Sequence, residues 1–80
     1  MAVMAYGVRQ PSPAGEVRYR FGFDPEEPPL GMIVIPIGAV DSWYVQGVEG
    51  RPFPSAAIAA KAIRLHEQTG EWQEHAPVFA

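Results

Sequence analysis

Cysteine is missing from all 80 residues, so the chain can build neither a disulfide framework nor a thiolate metal site. That removes the usual signature of a small secreted domain and makes a cytoplasmic location the expectation. Charge is also sparse: 19% of residues are charged against 48% hydrophobic, the reverse of the composition that keeps a chain disordered. No stretch approaches the roughly 20 apolar residues of a membrane-spanning helix. The start, residues 1 to 8, lacks the basic flank and unbroken apolar core of a secretory leader, because Gly7 and Arg9 interrupt it. Six Lys and Arg against nine Asp and Glu leave a formal charge of −3, which argues against nucleic acid or an anionic membrane as partner. A chain this short wraps one core and no more.

What is present is an ordered set of local signals. Gln10-Pro11-Ser12-Pro13-Ala14-Gly15 reads as an extended linker, since each proline withholds an amide and disfavours helix before it. Residues 1–15 are therefore expected as a leading segment and linker, and 16–80 as the domain. Val17, Tyr19, Phe21 and Phe23 alternate with Glu16, Arg18, Arg20 and Gly22, the period of a strand buried on one face. Asp24-Pro25-Glu26-Glu27-Pro28-Pro29 ends it as an acidic loop. Met32 to Ile37 is apolar and β-branched, a second strand, and Trp43 to Val48 is a third, with a short helix near Asp41 as its competitor.

Gly47, Gly50, Pro52 and Pro54 break regular structure ahead of one amphipathic helix over about 56–69. Ser55 is its expected N-cap, and Gly70 supplies the left-handed C-terminal position. Ile58, Ala59, Ala62, Ile63, Leu65 and His66 share a face, and Trp72 is placed to fold back over the last turn. The fold class that follows is α+β: a small three-stranded antiparallel sheet, extended by a terminal strand if one pairs, packed against one helix.

The chemistry is thin. His66-Glu67 invites a zinc-peptidase reading, but Gly70 stands where the second histidine must be, so His66 is expected to finish the apolar face of the helix. Asp24, Glu26 and Glu27 lack the spacing of a calcium loop. Ser12, Ser42 and Ser55 sit in a linker, a turn and a helix start, outside any nucleophile elbow. No metal or cofactor is expected. Arg20-Phe21-Gly22-Phe23 touches the aromatic strand motif of RNA-recognition domains, yet a strand turning Phe21 and Phe23 to a helix withholds them from bases.

Strict alternation turns Ile33, Ile35 and Ile37 toward the helix and Met32, Val34 and Pro36 away from it, beside Arg18, Arg20, Tyr44 and Val48. An apolar strip flanked by arginines and a tyrosine has the composition of an interface. The first expectation is therefore a noncatalytic protein-interaction or regulatory module whose surface is Arg18, Arg20, Met32, Val34, Tyr44 and Val48. It would be covered by a protein partner or a second copy, unless either terminus folds over it. The alternative is a small enzyme or enzyme subunit using His66, His75 and the acidic-loop carboxylates. The order of three strands and then a helix over roughly 16–69, with Trp43-Tyr44-Val45-Gln46-Gly47 before the helix, is similar to HicB-type antitoxins in topology alone. That resemblance implies an antitoxin-like or nucleic-acid-binding module as a further alternative and carries no functional residue across.

Overall fold

The computed structural model describes residues 3–79. They form an α+β fold in which a five-stranded antiparallel sheet, spatial order β4-β3-β2-β1-β5, carries one helix. The strands are β1 Val3–Gln10, β2 Glu16–Gly22, β3 Gly31–Pro36, β4 Tyr44–Gln46 and β5 Val78–Phe79, and the helix α1 is Ser55–Thr69. Both ends of the chain add a strand to the expected three. Residues 3–10, expected as a leading segment, are β1, paired to β2 from Tyr6 opposite Gly22 to Gln10 opposite Arg18. The proline-rich stretch is the β1–β2 connection.

Val17, Tyr19 and Phe21 of β2 meet Ile35, Ile33 and Gly31 of β3 in register, and Ile33 meets Val45 of β4. Tyr19, Phe21, Ile33 and Ile35 have no accessible surface, and Ile58, Ala59 and Ala62 of α1 close over them. Each large side chain so buried contributes about 1.5–3 kcal/mol. On β1 the face toward the helix carries Ala5, Gly7 and Arg9, and the small residues let α1 sit close. A Cβ built on Gly7 would lie 2.6 Å from Ile58 Cγ2.

Two alternations stop short of their expected ends. Phe23 lies past β2 and is 53% exposed, because Asp24 Oδ1 accepts the Glu26 amide and turns the chain away. Ile37 opens a 3₁₀ segment, Ile37–Ser42, kinked at Ala39, and is exposed instead of facing the helix. β4 is shorter than expected because Gly47 adopts φ +100° and leaves the ladder.

The helix start also differs. Ser55 is the first helical residue, fully buried, and its Oγ donates back to the Pro52 carbonyl where a cap would accept an amide. Gly70 ends α1 at φ +79° and its amide donates to His66 O, as the left-handed position requires. Beyond it, Trp72 folds back and stacks on His66, ring centroids 4.1 Å apart and 7° from parallel.

The tail then runs along β1 toward β5. Arg9 Nη1 donates to Trp72 O, the Tyr19 hydroxyl donates to Gln73 O, the Arg9 amide donates to Glu74 O and the Ala76 amide donates to Gly7 O. Burial raises the Tyr19 pKa, with the cross-strand Arg9 charge opposing it.

Candidate interaction face

Because successive side chains alternate across a strand, the register fixes which residues share the sheet face opposite α1. One row across the strands is Tyr44, Val34, Arg18 and Gln10; the next is Gln46, Met32, Arg20 and Val8. His75 continues the second row through an isolated bridge to Val8. Tyr6 lies one step further along β1 with its ring over Gly22, close enough that a Cβ there would stand 3.1 Å from the ring. An aromatic laid over a strand glycine restores contacts that the glycine does not make.

Five of the six residues expected to form a surface therefore share this face: Arg18, Arg20, Met32, Val34 and Tyr44. Val48 does not, since it follows Gly47 into the bends of 47–50, although it is exposed. The face is more mixed than an apolar strip. Val34 is only 1% exposed, set in its row between Arg18 and Tyr44, and Met32 and Pro36 are half-buried. The accessible apolar surface in these rows belongs to Tyr44, 46% exposed. Arg18 is engaged, its Nε 2.5 Å from Glu16 Oε2, whereas Arg20 is exposed and has no ion-pair partner among the described residues.

Neither terminus crosses this face among the described residues. The N-terminal strand lies in the sheet and adds a buried Tyr6 and a half-buried Val8 to this face, while the tail pairs at the β1 edge. These contributions were hidden in the sequence because the helix-facing positions of β1 are Ala5, Gly7 and Arg9, so no apolar alternation toward the core marks the strand.

The residues of the alternative catalytic reading are dispersed. His66 is on α1, on one side of the sheet, and His75 pairs with Val8 on the other. Asp24, Glu26 and Glu27 lie in the β2–β3 loop past the Gly22–Tyr6 pair, whereas His66 stacks on Trp72 beside Arg9, at the other end of β1. Among the described residues no three His, Asp or Glu side chains gather as a metal site. No helix there is long and apolar enough to cross a membrane.

Two of the clefts among the described residues lie elsewhere. One of about 190 Å³ is lined by Phe23, Asp24, Glu27, Pro28 and Leu30 at the acidic loop. The other, about 320 Å³, runs between α1 and β5 and is lined by Ala57, Ala60, Lys61, Arg64, Val78 and Phe79. Searches with the chain return no matching family model, no matching curated protein and no matching solved structure.

Proposed function

We propose that this protein is a noncatalytic protein-interaction module that works through the sheet face opposite α1, with a protein partner or a second copy as its ligand. The observation that carries the reading is the exposed Tyr44 and the exposed Arg20, which has no ion-pair partner among the described residues, on a face that neither described terminus crosses. Aromatic and arginine side chains are the types enriched where binding energy concentrates. The dispersal of His66, His75 and the acidic loop favours this over a catalytic role, since general acid–base work needs those groups converging on one substrate. A cytoplasmic location belongs to the same reading and is supported by the lack of cysteine.

Val34→Asp is a poor probe, because it buries a charge and unfolds the sheet. Tyr44→Asp and Arg20→Glu alter exposed side chains instead. Light scattering over a concentration series, with circular dichroism to check the fold, is expected to show wild-type self-association abolished by both substitutions, or co-purification of one protein that both abolish. A monomeric wild type whose co-purifying proteins are the same as those of both variants overturns the reading.

A further inference from the structure

We propose that the cleft between α1 and β5 binds an extended acidic peptide segment, which adds to the free edge of β5 and sets its carboxylates against Lys61 and Arg64. This goes beyond the far-face reading and does not depend on it. The helix supplies one wall: positions 57, 60, 61 and 64 recur at helical spacing and form a single stripe along α1. Two of these are alanines, which keep the cleft open, and two are cations one turn apart. The other wall is Val78 and Phe79 of β5.

β5 is the last strand in the sheet order, bonded to β1 on one side and to no strand among the described residues on the other. An unpaired edge is a template for one more strand, with main-chain bonds giving affinity and neighbouring side chains giving selectivity. Selectivity here is electrostatic. No acidic side chain lines the cleft, and neither Lys61 nor Arg64 forms an ion pair with a described residue. Lys61 is held at the rim by donating to Pro77 O at 2.7 Å, with its ammonium 5.1 Å from the centre of the Phe79 ring. An ammonium has three donors, so two remain for an incoming carboxylate. Arg64 is exposed on the next turn and offers a planar fork to a second one. An alternating acidic and apolar strand meets the charge requirement, its carboxylates on the α1 side of the sheet toward the cations and its apolar side chains on the opposite face.

The test is amide chemical-shift mapping of the full chain with a short, end-blocked synthetic peptide alternating valine and glutamate, against its valine–lysine counterpart. The glutamate peptide is expected to shift Val78, Phe79 and residues 57–64, to weaken as ionic strength rises, and to lose roughly tenfold in affinity in the Lys61→Met, Arg64→Glu double variant. Arg64→Glu alone alters an exposed side chain and is expected to weaken binding severalfold, which covers the case of a double variant that does not fold. Tyr44→Asp is expected to leave this binding unchanged, separating it from the far face. Equal binding of the lysine peptide, shifts confined to the Arg20 and Tyr44 face, indifference to Arg64→Glu, or no shift at all overturns the proposal.

Discussion

Gly7 is the position where helix and sheet approach most closely, and replacing it by alanine tests that packing directly. Its φ is not positive, so the substitution carries no backbone strain and the whole effect lies in contacts. Carbon atoms pack comfortably at about 3.5–4.0 Å, and the new Cβ would stand 2.6 Å from Ile58 Cγ2, so roughly 1 Å has to be found. Neither side yields easily. Ile58 is fully buried, and the Gly7 carbonyl accepts the Ala76 amide within a strand paired on both flanks. Overpacking of this kind costs about 1–3 kcal/mol, while the gain from a stiffer unfolded chain is about 0.4–1 kcal/mol. The net expectation for Gly7→Ala is a loss of about 1–2 kcal/mol, a fall of about 1–2 M in urea midpoint if the slope is near 1 kcal/mol/M. Ile58→Leu keeps the volume but has no methyl branch at Cβ, so it removes the clashing atom. In that background the Gly7→Ala loss should shrink by at least about 1 kcal/mol, a coupling that a double-mutant cycle resolves. Stabilisation by Gly7→Ala, or the same loss in both backgrounds, refutes the close approach.

Tyr19→Phe should cost about 1 kcal/mol by removing the bond to Gln73 O. Because burial raises the Tyr19 pKa above its unfolded value near 10, the hydroxyl's contribution is complete below that pH and is lost as pH climbs past it. Wild type should therefore lose more stability than Tyr19→Phe between neutral and strongly alkaline pH, and parallel curves would contradict this. Ser55→Ala should cost about 1 kcal/mol and Ser55→Gly more, since Ser55 is helical; a capping residue would give the opposite order, read from denaturant midpoints. Arg51 donates to Asp41 O and Trp43 O and lies 4.1 Å from the centre of the Trp43 ring, so Arg51→Ala should shift Trp43 emission and speed proteolysis at 47–50. Arg51→Lys should not rescue it, because a single ammonium lacks the fork.

The parts of the fold legible in the sequence are those where one periodicity had one cause. Val17, Tyr19 and Phe21 alternate because a helix covers one side of β2, and Gly70 marks the end of α1 because the chain turns left-handed there. β1 was illegible for the opposite reason: close helix packing demands small residues, so its larger side chains Tyr6 and Val8 lie on the sheet face opposite α1. Phe23 and Ile37 continued an alternation that Asp24 and the 3₁₀ turn cut short. The tail gave no pattern, because backbone and hydroxyl bonds, not apolar spacing, fix its path. Most of the far face followed from parity in β2, β3 and β4, and Val48 failed only because Gly47 ends the parity. The α1–β5 cleft could not be read, since it joins residues whose proximity depends on where the tail lands.

That landing has a kinetic meaning. Arg9 reaches Trp72 across 63 positions and Tyr19 reaches Gln73 across 54, so the outer edge of β1 stays open until nearly the last residues are in place. Contacts this distant along the chain slow folding, because the loop entropy is lost before they reward it. Val3 and Phe79 are also cross-strand neighbours. A circular permutant that joins the ends by a short linker and opens the chain in the 24–29 loop would turn the slowest contacts into a hairpin. It should fold faster than the natural order, with the same sheet.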